Sequence, residues 1–118
     1  MHYVKLDGCY VPADQYQNRY NAMGAALAKT KTDKGLPLAY DCSWPAYLTP
    51  SGDYEDQKPY DQMAAAGCDT WRNWHDIDNT WDSLKSIINH WANYTEVLQN
   101  VPNKPRLMNT AASAKKHD

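Results

Sequence analysis

Tyr3-Val4-Lys5-Leu6-Asp7 alternates strictly, which places Tyr3, Lys5 and Asp7 on one side of a β-strand and Val4 and Leu6 on the other. Asp7 falls at the C-terminal end of that strand. Further on, Pro12 opens a helical segment in which Ala13, Tyr16, Tyr20, Met23 and Leu27 recur at spacings of three and four, running to about Lys29. The two pieces form one strand-helix unit, and the fold class depends on whether the unit recurs.

It recurs twice. After the polar stretch Thr30 to Gly35, the apolar run Leu36 to Tyr40 reads as a second strand ending near Ser43-Trp44, with Pro45 stopping it. A loop rich in Pro, Ser, Gly and Asp follows, Tyr54 to Ala66 is weakly helical, and Gly67 breaks that helix before a third, short strand, Cys68 to Arg72. Trp81, Leu84, Ile88, Trp91, Thr95 and Leu98 then mark the strongest helix, with Asp78 or Thr80 as its N-cap. Parallel strands need helical crossovers, so three such units predict an α/β fold with a parallel sheet, either barrel-like or doubly wound. From Val101 to Asp118 the periodicity gives way to Pro, Asn, Lys and small residues, and this tail is expected to be unstructured.

At 118 residues the chain holds one domain at most. A net charge of -2 and a basic cluster confined to Lys115 and Lys116 argue against a nucleic-acid or anionic-membrane partner. No stretch is long and apolar enough to span a bilayer, and the N-terminus lacks the basic and hydrophobic regions of a signal peptide. Five Trp and nine Tyr without a single Phe suit sugar binding, because each ring pairs a flat apolar face with a polar handle. Ordinary core and surface packing is the commoner use of any one such ring, so composition alone decides nothing. Cys9, Cys42 and Cys68 fit no zinc spacing, and the odd count means either a reducing compartment or an absent partner cysteine.

In parallel α/β proteins the strand ends and the loops after them build the site. Lys5 and Asp7 end the first strand, Ser43 and Tyr47 follow the second, and Arg72, Asn73, His75, Asp76 and Asp78 follow the third. Two carboxylates, one beside a cation and one in a loop, could divide into nucleophile and general acid. Each has a plainer use. Asp7 before Gly8 suits a turn, Asp76 and Asp78 suit helix caps, Lys5 could pair with Asp7, Arg72 could bridge a neighbouring acid, and His75 reads as a surface histidine.

Lys5-Leu6-Asp7-Gly8-Cys9-Tyr10, Cys42-Ser43-Trp44-Pro45-Ala46-Tyr47 and Trp71-Arg72-Asn73-Trp74-His75-Asp76-Ile77, in that order, resemble the motifs of glycoside hydrolase family 27, the α-galactosidases and α-N-acetylgalactosaminidases. The resemblance runs from about Tyr3 to Tyr94 and implies a partial (β/α)₈ TIM barrel, with residues 1–100 holding about the fourth to sixth strand-helix units. It implies Asp7 as the nucleophile and Asp76 as the general acid and then base of a retaining mechanism. Lys5 resembles the family lysine that binds sugar hydroxyls, Arg72 the arginine at the C2 substituent, and Tyr47 its aromatic neighbour. Members that hydrolyse α-galactosides carry Glu and Leu where this chain has Ser43 and Ala46. The shorter pair leaves room for an acetamide and implies terminal α-N-acetylgalactosamine as substrate, with α-galactose as the poorer one.

The resemblance also implies a Cys42–Cys68 disulfide, with Cys9 left without its upstream partner, hence an oxidising compartment, lysosomal or secreted. It implies no metal or organic cofactor, and for the full-length relative a homodimer. The chain departs from the pattern by lacking the first three units and the Asn-Asp-Pro-Asp segment after the sixth. It also has a longer Lys31 to Leu36 connection and Asp41 where Ser is frequent. The rival expectation is therefore a truncated, non-catalytic fragment that at most binds carbohydrate or associates with a full-length relative. A three-stranded parallel sheet with two open edges argues against stable folding alone. Asn93-Tyr94-Thr95 is a glycosylation sequon inside the last predicted helix.

Overall fold

The computed structural model describes residues 2–48, 59–72 and 74–93. Strand β1 spans His2–Leu6, a 3₁₀ turn spans Ala13–Gln15, and helix α1 spans Tyr16–Lys34. Strand β2 (Leu38–Cys42) and a one-turn helix α2 (Trp44–Tyr47) follow. Helix α3 (Tyr60–Ala65), strand β3 (Thr70–Trp71) and helix α4 (Trp81–Asn93) complete the described elements.

The three strands are parallel and lie in the order β1-β2-β3. This is the parallel α/β arrangement expected from the three strand-helix units, and it is consistent with part of a barrel. The register pairs Lys5 with Asp41 and Asp41 with Thr70, and it pairs Leu6 with Cys42 and Cys42 with Trp71. Paired residues of neighbouring strands share a face. One face therefore carries Leu6, Cys42 and Trp71, and the other carries the polar row Lys5, Asp41 and Thr70. The apolar face packs into a core of Tyr16, Tyr20, Tyr40, Cys42, Trp44, Tyr60, Met63, Ala66, Cys68 and Trp71. On the polar face Asp41 is fully buried, and Thr70 Oγ1 donates to its Oδ1 at 3.0 Å.

Several boundaries differ from the sequence expectation. Helix α1 runs five residues past Lys29 because its polar end holds itself together. Lys29 pairs with Asp33, and Thr30 and Thr32 return hydroxyl hydrogen bonds to Ala26 and Ala28 at 2.9 and 3.1 Å. Gly35, at φ 62°, then closes it in the left-handed conformation that glycine adopts without a steric penalty. The departure read as a longer connection at Lys31 to Leu36 is thus in part helix. Strand β2 starts at Leu38 rather than Leu36, the carbonyl of Pro37 accepting a hydrogen bond from His2 N at 2.9 Å. Pro45 lies within the first turn of α2, where a missing N–H costs nothing, rather than simply ending the strand.

Helix α4 buries only part of the face the periodicity suggests, with Trp91 half-buried against the core. Ile87 and His90 are buried, while Trp81, Leu84 and Ile88 are exposed. Its start is as expected, with Thr80 Oγ1 accepting from Ser83 N at 3.2 Å, the hydrogen bond of an N-cap. Helices α1 and α3 meet at backbone distance, since a Cβ at Gly24 would sit 1.8 Å from the carbonyl oxygen of Ala66. The first part of the helix expected over Tyr54 to Ala66, Asn73, the sequon residues Tyr94 and Thr95, Leu98 and the tail from Val101 lie outside the described residues.

Candidate functional site

The sheet ladder does not stop where the strands do. Ser43 N donates to Leu6 O at 3.2 Å and Arg72 N donates to Cys42 O at 3.1 Å. Asp7, Ser43 and Arg72 thus each stand two residues beyond the polar row Lys5, Asp41 and Thr70. Alternation brings them back to the same face, at the C-terminal ends of the strands.

The residue after Asp7 decides what can approach it. A Cβ at Gly8 would meet Tyr47 Cδ2 at 2.7 Å and Tyr16 Cε1 at 3.1 Å, so the absence of a side chain there admits the Tyr47 ring. The Tyr47 hydroxyl donates to Asp7 Oδ1, and Gly8 N donates to the same oxygen at 2.9 Å. Partial burial of Asp7 acts to push its carboxyl up. The Tyr47 and Gly8 hydrogen bonds and the charges of Lys5 and Arg72 outweigh that, and the net result lies below the ordinary aspartate value. Tyr47 moves oppositely, because burial and then its hydrogen bonds to Asp7 and Cys9 push its phenol up.

Helix α2 supplies Tyr47, and Arg72 contacts both the helix backbone and the ring. Ala46 N donates to Arg72 O at 3.1 Å, and the Arg72 guanidinium carbon lies 5.2 Å from the centroid of the Tyr47 ring, within cation–π range. Arg72 is buried, and its Nη1 forms an ion pair with Oδ1 of the half-exposed Asp76. Asp7, Tyr47, Arg72 and Asp76 therefore form one continuous run of contacts joining two carboxylates. The plainer expectation that Arg72 bridges an acid is met by the same pair.

The remaining candidates fall around this run. Ser43 is fully buried, and its Oγ and the Nε of Arg72 have no hydrogen-bond partner among the described residues. Ala46 is half-buried beside them, its N–H directed at Ser43 O and Arg72 O, and Lys5 on β1 is also half-buried, its charge acting on Asp7. Cys9 is exposed with its Sγ 3.7 Å from the Tyr47 hydroxyl. Cys42 and Cys68 form a disulfide with a Cα–Cα distance of 5.9 Å, tying the end of β2 to the approach to β3. His75 is exposed beside Trp74, with ring centroids 4.6 Å apart. Asp78 N donates to Ser83 Oγ at 2.9 Å. Among the described residues no three His, Cys, Asp or Glu side chains gather to hold a metal ion, and no helix is long and apolar enough to cross a membrane.

The Tyr47 contact predicts a measurable shift. Asp7 titrates below its unfolded value, so its ionised form adds stability that is present above the unfolded value and is lost as pH falls through the folded one. In Tyr47→Phe the phenol donor is gone, and the Asp7 midpoint should rise, shrinking that contribution. Carboxyl ¹³C titration of the two proteins reads this directly, and a midpoint unchanged or lower in Tyr47→Phe contradicts it.

A family profile described as alpha galactosidase A matches residues 1–110 of the 118. The chain belongs to glycoside hydrolase family 27, the α-galactosidase and α-N-acetylgalactosaminidase family. Among its family 27 relatives, the α-N-acetylgalactosaminidase of Rattus norvegicus is 38% identical over 98 residues, covering 83% of this chain and 22% of that protein. The α-N-acetylgalactosaminidase of Homo sapiens is 38% identical over 101 residues with the same coverage. The alpha-galactosidase A of Homo sapiens is 35% identical over 94 residues, covering 79% of this chain and 20% of the relative. The chain thus spans about a fifth of the length of the curated relatives it matches.

Proposed function

We propose that this family 27 chain carries the catalytic carboxylates of a retaining glycoside hydrolase that removes terminal α-linked N-acetylgalactosamine or galactose. The observation that carries the reading is the run from Asp7 through Tyr47 and Arg72 to Asp76 at the strand ends, with Asp7 held ionised. Asp7 is the nucleophile. Its carboxylate attacks the anomeric carbon, the glycosidic C–O bond breaks, and Asp76 gives its proton to the departing oxygen. In the second half-reaction Asp76 takes a proton from water, whose oxygen displaces Asp7 and returns it as a carboxylate. The chemistry requires the two carboxyls roughly 5–5.5 Å apart on opposite faces of the sugar.

A general acid must hold a proton, and an ion pair opposes that. The reading therefore requires Arg72 to turn toward the sugar when substrate arrives, at the C2 substituent. Lys5 binds sugar hydroxyls, and Tyr47 stands beside the C2 position. Ser43 and Ala46 leave room there for an acetamide, and the Ser43 Oγ, without a partner among the described residues, offers a buried polar atom for it. The Cys42–Cys68 disulfide supports an oxidising, lysosomal or secreted, location.

The test is hydrolysis of 4-nitrophenyl α-N-acetylgalactosaminide and α-galactoside by the full chain, with Asp7→Asn as the control for contaminating glycosidase. Turnover of both, with the N-acetylgalactosaminide preferred, is expected. Preference for the galactoside would sink the Ser43 and Ala46 argument. No turnover above the control would favour the other reading, a non-catalytic segment that binds carbohydrate or assembles with a longer relative.

A further inference from the structure

Arg72 holds the Asp76 carboxylate, but the backbone that carries Asp76 is held from elsewhere. Ser83, half-buried in the first turn of α4, stands at the centre of a small network. Its Oγ accepts from Asp78 N at 2.9 Å and donates to Asp76 O at 3.4 Å, while its own N–H donates to Thr80 Oγ1 at 3.2 Å. Thr80 N closes the loop by donating to Asp78 O at 2.7 Å. A second tie lies two residues before Asp76. The Trp74 ring stacks on His90 of the same helix, with centroids 3.9 Å apart and planes 14° from parallel. Residues 74–80 are therefore laid against α4 at two places, and one of these grips the peptide of Asp76 itself.

A hydroxyl has one proton to donate and two lone pairs to accept with. Ser83 uses both capacities on the two residues that flank Ile77, one of them Asp76. Alanine would remove both bonds and leave the Asp78 N–H and Asp76 carbonyl to water. Threonine would keep them.

Resting on the proposed role of Asp76, we propose that Ser83 is a positioning residue for the general acid, setting the place from which Asp76 reaches both Arg72 and the leaving group. A general acid matters in proportion to how badly the leaving group needs a proton. Misplacing Asp76 should therefore harm alkyl glycosides and spare 2,4-dinitrophenyl glycosides, whose leaving group departs as a stable anion.

The experiment compares kcat/KM, which reports the glycosylation step, for methyl and 2,4-dinitrophenyl α-N-acetylgalactosaminide in the full chain and in Ser83→Ala, Ser83→Thr and Asp76→Ala. Ser83→Ala should lose about tenfold on the methyl glycoside and less than about twofold on the activated one, with Ser83→Thr restoring the loss. An equal loss on both substrates, or no loss, overturns the proposal. Asp76→Ala separates the two levels of argument. If it too fails to discriminate between the substrates, the role given to Asp76 falls. If it discriminates and Ser83→Ala does not, only the positioning role falls. The Arg72 guanidinium N–H resonances decide the matter without turnover. They should be resolved in the unaltered chain, averaged by rotation in Ser83→Ala and in Asp76→Ala, and resolved again in Ser83→Thr. Signals unchanged in Ser83→Ala overturn the proposal even in a chain that hydrolyses neither substrate.

Discussion

Asp7→Asn is expected to lower kcat/KM on the activated aryl glycoside by on the order of 10⁴-fold or more, the scale on which removing a nucleophile acts. The substitution keeps the volume of the side chain, and the amide oxygen still accepts from the Tyr47 hydroxyl and from Gly8 N, so the geometry built on Gly8 has no reason to change. What disappears is the negative charge that Lys5 and Arg72 favour. The loss in activity should therefore far exceed the loss in stability. Parallel urea melts check this, since the two proteins should unfold at similar denaturant concentrations. Activity retained within about tenfold of the unaltered chain would exclude Asp7 as the nucleophile.

Replacing both Cys42 and Cys68 by alanine should cost about 3.5 kcal/mol of stability, from the loop-closure entropy that a bridge across a separation of 26 residues removes from the unfolded chain. Both cysteines are buried in the core, so the alanines add small packing losses to that figure. Against a typical domain stability of about 5–15 kcal/mol this is a large fraction. Equilibrium unfolding in urea measures it, and adding reductant to the unaltered chain should move its midpoint toward that of the double variant. A difference below about 1 kcal/mol would mean that the bridge contributes little to the native state. The cost would not stay in the core, because Cys42 precedes Ser43 directly and Cys68 leads into the strand that delivers Arg72.

The parts of this architecture that depend on short-range pattern were readable from the chain itself. Strand β1 shows in the alternation from Tyr3 to Asp7, and the face of α1 shows in Tyr16, Tyr20, Met23 and Leu27. Three strand-helix units were enough to call for parallel pairing. The end of α1 was hidden, because Thr30 to Lys34 look like a linker until the Lys29–Asp33 pair and the returning threonine hydroxyls are seen. Part of the buried face of α4 was hidden too, since the packing of His90 on Trp74 depends on a partner sixteen positions away rather than on helical period.

At the site, the motifs singled out the residue types, and the register explains why Asp7, Ser43 and Arg72 gather on one face. Sequence gave no sign that Gly8 admits Tyr47, because a glycine after an aspartate also reads as a turn. Ser83 gave little more. Its only trace is the spacing Thr80-x-x-Ser83 at a helix start, which resembles a capping box with a hydroxyl in place of the usual Glu. The excess of Tyr and Trp suits sugar binding and ordinary packing alike, and packing accounts for much of it, since Tyr16, Tyr20, Tyr40, Trp44, Tyr60 and Trp71 are buried.

The complete lack of phenylalanine then has a mechanical sense. Tyr20 donates its hydroxyl to Leu6 O at 3.1 Å and Tyr16 donates to Gly8 O at 3.3 Å, so two phenols from successive turns of one helix grip the carbonyls on either side of Asp7. Tyr40 reaches back from β2 to the main chain of the same helix, at Tyr20 O, at 3.2 Å. Apolar packing alone tolerates a helix sliding or turning by a fraction of a residue. A pair of directional bonds does not. The helix acts as an indexing pin for the peptide that bears Asp7, and phenyl rings of the same bulk would fill the space while leaving the pin out of its hole.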